Sequence, residues 1–125
     1  MHVVVVGAGE VGSYVADRLS REGHDVAIVD LSSSKLRRLD DSLDVLTVVG
    51  SGTHPETLSR AGIEHSELLV AVTANDEANL VASMVGKSMG VKQTICRIEA
   101  SGLRGPAAHA AVSYTHLTLP TSLIV

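Results

Sequence analysis

Aromatic residues are nearly missing from this chain: it has no Phe and no Trp, and two Tyr make up the 2 % aromatic share of its 125 residues. A core without rings must come from Val, Leu, Ile, Ala and Met packed at close range, which suits the doubly buried strands of a parallel sheet. Cysteine is equally scarce. The single Cys96 lies in an apolar run, which excludes a disulfide framework and reads as a small core residue in a reducing compartment. No apolar run approaches the roughly 20 residues of a membrane-spanning helix. The opening, His2 and then Val3 to Val6 followed by glycines, lacks the basic flank and length of a signal peptide. Positive charge is not in excess either. A net charge of −4, with both signs interspersed, gives no basic face for nucleic acid or anionic lipid. These absences lead us to expect a cytoplasmic protein that inserts in no membrane itself.

Equipment for bond-making is also missing. The six histidines (His2, His24, His54, His65, His109, His116) are dispersed at no metal-ligand spacing, and no serine elbow or partnered cysteine nucleophile can be assembled. The expectation is no metal site, no catalytic residues and no enzymatic activity.

What is present is alternation. Short apolar runs at His2 to Val6, Val26 to Val29, Val45 to Val49, Leu68 to Val72 and Thr94 to Ile98 read as strands. Segments of helical period separate them. The first runs from about Val11 to Glu22, with Val11, Val15 and Leu19 every four residues and Gly23 as its stop. A second follows the Ser32, Ser33, Ser34 cluster, which offers an N-cap, through Leu36 and Leu39. A short third is expected to Ala61 and Gly62, because Thr53 and Glu56 have capping-box spacing with Pro55 in the first turn. A fourth, from about Asp76 to Met89, carries Val81, Met84, Val85 and Met89 on one face. Strand, helix, strand in this order forces right-handed crossovers, hence an α/β fold with a doubly wound parallel sheet, a Rossmann fold in one domain over residues 1–110. Residues 111–125 show no period tied to what precedes them and are set apart as a tail outside that domain, which would then be truncated at its C-terminal side. The string Ser113 to Thr121 resembles read-through at a fragment end, with a terminal strand Leu117 to Val125 as the alternative.

The chemistry sits after the first strand. Gly7, Gly9 and Gly12 form G-x-G-x-x-G, with Ala8, Glu10 and Val11 between them, where the first helix opens. Gly7 permits the tight turn, Gly9 lets a pyrophosphate approach the backbone, and Gly12 lets helix and strand pack closely. The triplet alone is a weak signal, but the context is complete: strand before, helix after, and Asp30 closing the second strand where ribose hydroxyls would lie. Asp30 would repel a 2′-phosphate and no arginine follows it until Arg37, so NADP is disfavoured, while NAD(H), ATP and ADP share the same ribose. Glu10 tilts the choice toward NAD(H), because a carboxylate there opposes a terminal phosphate; it also reads as simple dipole stabilisation at a helix N-terminus. Gly50, Ser51, Gly52 and Thr53 are placed beside the base, although Thr53 doubles as a cap. Thr73, Ala74, Asn75, Asp76, Glu77 and Asn79 form a polar cluster that either lines the second half of a dinucleotide or, through Asn75 or Asp76, caps the next helix.

With these motifs assembled, Met1 to Ala100 resembles the N-terminal lobe of the RCK, or KTN, domain of TrkA-type potassium-uptake regulatory subunits and related channel subunits. The resemblance rests on Val4 to Gly12, on Gly50 to Pro55 running into Leu58 and Ala61-Gly62, and on Ala71-Val72-Thr73 followed by Asp76 to Asn79. It implies nucleotide contact by Gly7, Gly9, Gly12, Asp30 and Thr73, with Arg97 a further candidate. It also implies a homo-oligomeric regulator bound to a membrane-embedded potassium transporter or channel subunit, peripheral to the inner membrane, with nucleotide binding gating potassium flux. Ser51 departs from the aspartate often found there, which weakens inference about the base. The competing expectation is the cofactor domain of a truncated NAD-dependent oxidoreductase, since a Rossmann fold does not by itself imply function.

Overall fold

A computed structural model describes residues 1–99; the tail assigned to residues 111–125 lies outside them. Five strands form one parallel sheet: β1 (His2–Val6), β2 (Asp25–Asp30), β3 (Leu46–Val49), β4 (Leu68–Ala71) and β5 (Gln93–Cys96), in the order β3-β2-β1-β4-β5. Between them run α1 (Glu10–Arg21), α2 (Ser33–Ser42), α3 (Pro55–Arg60) with a 3-10 turn at Ile63–His65, and α4 (Asp76–Ser88). This is the doubly wound arrangement expected, and every strand lies within two residues of its expected place.

The valine run of β1 is central because both its faces are covered. Val4 and Val6 point into a core shared with Leu58, Ile63, Leu69, Ala82 and Cys96 under α3 and α4, whereas Val3 and Val5 meet Ala16, Ile28 and Leu36 under α1 and α2. β1 pairs with β2 on one side and β4 on the other, from Val3↔Val26 and Val3↔Leu68 to Val6↔Val29 and Val6↔Ala71. The chain therefore reverses its winding direction at β1, and a crevice opens above the carboxyl ends of β1, β2 and β4, where ligands of such sheets lie.

Three local expectations are corrected. The third helix is not capped by Thr53: its N-cap is His54, and the Thr53 hydroxyl lies 2.7 Å from Ser51 Oγ instead. Gly52 lies so close to the sheet that a Cβ would fall 2.3 Å from Val6 Cγ1, and the Thr53 hydroxyl is engaged with Ser51 beside it. On α4 the buried stripe is Asn79, Ala82, Ser83 and Gly86, with Val85 and Met89 packed against the core beside it as expected, while Val81 and Met84 are exposed. Small residues win that face because the helix lies close to the sheet: a Cβ on Gly86 would sit 2.6 Å from Leu69 Cδ2. Finally, Gly9 itself is the N-cap of α1, which starts at Glu10.

The Val11, Val15 and Leu19 stripe of α1 is only partly covered. With Tyr14 it borders an open groove of about 590 Å³ whose floor is Leu68, Val70, Val72 and Ile95. Among the described residues no helix is long and apolar enough to cross a membrane.

Candidate functional site

The glycine loop is fixed by backbone. Gly7 N–H donates to Val29 O at 2.7 Å, and its φ of +112° is a conformation side chains rarely adopt. Its carbonyl is then pressed against α1: a Cβ on Gly12 would lie 1.7 Å from Gly7 O. Gly9 is the opposite case, with extended backbone and nothing within 4 Å of a Cβ built on it. That empty volume lies at the N-terminus of α1, where the first-turn N–H groups have no acceptor within the helix and the helix dipole favours an anion. Ser13 steadies the loop through its hydroxyl, which donates to Ala8 O at 3.0 Å.

Asp30 closes the second side. Its carboxylate accepts from Ala8 N–H at 2.7 Å and from Ser32 N–H at 2.8 Å, so it ties the glycine loop to the start of α2 and stands at the edge of the crevice. Each oxygen receives one of these bonds, and a carboxylate oxygen can accept a second, which leaves capacity for a ribose hydroxyl. Gly50 N–H in turn donates to Asp30 O at 2.9 Å, fastening the loop after β3 beside it.

These loops enclose a cleft of about 290 Å³ lined by Val6, Asp30, Leu31, Lys35, Gly52, Thr53, Thr73 and Asn75, among others. A second cleft of about 310 Å³, lined by Ala8, Gly9, Glu10, Ser13, Lys35, Arg38 and Leu39, continues across the face of the glycine loop. The structure thus gathers Asp30, Gly52, Thr53 and Thr73 around one space and Ala8, Gly9 and Glu10 around its neighbour, with Lys35 shared by both. Gly7 and Gly12 lie beneath as buried supports. Val11 and Arg97 are elsewhere: both border the groove along α1, and the Arg97 guanidinium is paired with Glu99, its Nε donating to Oε1 at 2.8 Å.

Residues that sequence reasoning passed over complete the picture. Leu31, 74 % exposed, offers an apolar wall at the cleft mouth, and its signal was an apolar residue stranded just after Asp30. Lys35 and Arg38 bring positive charge where only Arg37 had been considered; their spacing of three on α2 puts them on one helix face, which the position of the helix alone turns toward the loop. Asn75 caps α4, accepting from Ala78 N–H at 2.9 Å, so the capping alternative holds for that residue. Asn79 is fully buried and lines neither cleft. Among the described residues no group of three or more His, Cys, Asp or Glu could hold a metal ion.

Comparison with known proteins agrees with this arrangement. The TrkA-N domain family model matches residues 3–104. The chain is 44 % identical over 120 residues to the Trk system potassium uptake protein TrkA of Azorhizobium caulinodans, covering 95 % of this chain but 26 % of that protein. It therefore spans about a quarter of that relative's length. Among solved structures, the TrkA-N domain of the inner membrane protein ybaL from Escherichia coli superposes with a TM-score of 0.79 at 18 % identity, covering 94 % of this chain and 83 % of that one. The GsuK channel bound to NAD superposes with a TM-score of 0.74 at 16 % identity, over 88 % of this chain and 20 % of that one, a likeness of fold. The sheet order, the glycine loop meeting Asp30 and the matches over most of the sequence together place this chain in the TrkA-N family, as a Rossmann-type RCK N-terminal domain.

Proposed function

We propose that this domain binds NAD(H) and serves as the sensing part of a regulator of potassium uptake, making and breaking no covalent bond. The observation that carries the reading is the contact between Asp30 and the glycine loop: the carboxylate accepts Ala8 N–H at 2.7 Å, just before the N-terminus of α1, and the two face adjoining clefts. A pyrophosphate set against Gly9 would meet the first-turn N–H groups of α1, and the adjoining ribose would fall beside Asp30. The base would lie between Leu31, Gly52 and Thr53. A cleft of about 290 Å³ falls just below the roughly 300–1,000 Å³ usual for whole ligand pockets, which suits one nucleoside half of the ligand.

In the full-length protein such a domain would act peripherally to the membrane, as part of a homo-oligomer bound to a transporter or channel subunit, with ligand binding biasing a two-state assembly. Relatives named as Trk potassium uptake proteins and the NAD-bound GsuK channel support that role. Lys35 and Arg38 favour a second ligand reading, ADP or ATP, because two cations beside the glycine loop could meet additional phosphate charge.

Calorimetric titration with NADH, NADPH, ADP and ATP at fixed salt tests the reading. NADH is expected to bind, and Asp30→Ala to weaken it by about 10- to 100-fold, the worth of hydrogen bonds to a charged group. Binding unaffected by Asp30→Ala would remove the proposed pose, and a marked preference for ATP or ADP would move the ligand assignment to the adenylates.

A further inference from the structure

A carboxamide lies in the aliphatic core under α4. Asn79 is 0 % exposed, in the first turn of a helix that meets the sheet through Ala82, Ser83 and Gly86. Burying such a group is costly unless its donors and acceptor are matched. All are. Oδ1 accepts the Thr73 N–H at 2.9 Å and the Thr73 hydroxyl at 2.7 Å, while Nδ2 donates to Thr73 O at 3.0 Å and to Arg97 O at 2.9 Å. One side chain thus holds both backbone polar groups of Thr73, on the lip of the cleft, and the backbone just beyond β5. A second bond runs alongside, Glu99 N–H donating to Asp76 Oδ1 at 3.1 Å. The lip after β4 and residues 97–99 form one hydrogen-bonded unit.

The Thr73 hydroxyl is the adjustable member of that unit. It has two acceptors within reach, Asn79 Oδ1 at 2.7 Å and Asn75 O at 3.1 Å, and one proton to give. A ligand acceptor that bonds this hydroxyl in the cleft that Thr73 lines would take the proton from Asn79 Oδ1. Asn79 Oδ1 would then keep the Thr73 N–H alone, and the balance of bonds around its amide would change at Thr73 and at Arg97 together.

We infer that Asn79 is a positioning residue that couples the nucleotide cleft to the end of β5, transmitting the state of the Thr73 hydroxyl to Arg97 and Glu99. The inference rests on the nucleotide reading given above and assigns the route by which occupancy leaves the site. Its warrant is the choice of the hydroxyl between two acceptors, Asn79 Oδ1 at 2.7 Å and Asn75 O at 3.1 Å, which a ligand bonded to Thr73 would bias.

Amide hydrogen exchange on the full 125-residue chain, with and without saturating NADH, tests it. In the wild type, NADH is expected to change exchange at residues 7–12 and at residues 97–99, each by roughly tenfold. Thr73→Val removes the hydroxyl at nearly unchanged volume; at saturating NADH it is expected to keep the response at residues 7–12 and lose that at residues 97–99. Asn79→Ala should do the same, and Thr73→Val decides the matter if that variant does not fold. A wild-type response confined to residues 7–12, or a response at residues 97–99 that survives Thr73→Val, overturns the coupling. No response at residues 7–12 overturns the nucleotide reading, and the coupling with it.

Discussion

The two lips of the nucleotide crevice are built on opposite principles. The loop after β1 is shaped by missing side chains: Gly7 turns with positive φ, Gly12 lies where a Cβ would strike Gly7 O at 1.7 Å, and Gly9 leaves open space for a ligand. The loop after β4 is shaped by a side chain that is present, the buried Asn79, whose four hydrogen bonds fix Thr73 and reach on to Arg97. The first lip is held chiefly by tight backbone packing, with the Ser13 hydroxyl and the Asp30 carboxylate bonded to Ala8. A lip held by an amide and a hydroxyl can exchange partners, so the second lip is the one suited to report that a ligand has arrived.

Gly12→Ala should break the first lip outright. Backbone stands in the way of the added methyl, so the helix or the loop must shift; we expect a loss of about 3 kcal/mol or more in urea denaturation. An unaltered urea midpoint would mean that the tight packing of α1 on Gly7 is not needed. Gly9→Ala sharpens the comparison by separating fold from function at the same lip. Its methyl enters empty space on extended backbone, so stability should change by less than about 1 kcal/mol. NADH affinity should nevertheless fall by about tenfold or more, because the methyl occupies the space that the pyrophosphate needs. Equal affinity in calorimetry would move the phosphates away from Gly9.

The smallest expected effect concerns the packing beneath the second lip. Burial among β5 and α4 pushes the Cys96 thiol above its ordinary value, with the Ser83 hydroxyl opposing this in part. A thiol raised in the folded state binds its proton more tightly there than when unfolded. Its contribution to stability is therefore complete below the unfolded thiol range, about pH 8.5, and is lost as pH rises toward the folded value. Urea midpoints measured upward from pH 7.5 should decline, and Cys96→Ala should flatten that part of the decline. A decline equally steep in the variant would assign it to other groups.

The contrast between the lips also accounts for what could be read in advance. Strand alternation, the valines of β1, the glycine triplet and Asp30 were legible because each is a local rule: an apolar run at strand length, a turn that only glycine enters, an acid at a strand end. The doubly wound parallel sheet followed from right-handed crossovers, whereas the order β3-β2-β1-β4-β5 came from the structure. Thr53 misled because capping-box spacing is local too, whereas the loop packs Gly52 against Val6, a contact distant in sequence, and leaves the Thr53 hydroxyl with Ser51. Val81 and Met84 misled in the same way, since hydrophobic period marks a stripe but cannot say that the sheet comes close enough to favour small residues at its centre, with Val85 and Met89 beside them.

By itself, then, the sequence determined the winding of the sheet, the glycine loop and the carboxylate beside it, because steric rules along the backbone decide those within a few residues. Only the tertiary structure decided that Lys35 and Arg38 face that loop, that Arg97 turns to Glu99 on the groove along α1, and that Asn79 joins Thr73 to the end of β5. Those outcomes depend on how closely and at what rotation each helix settles on the sheet. That is fixed by packing between residues far apart in the chain, which no local period records.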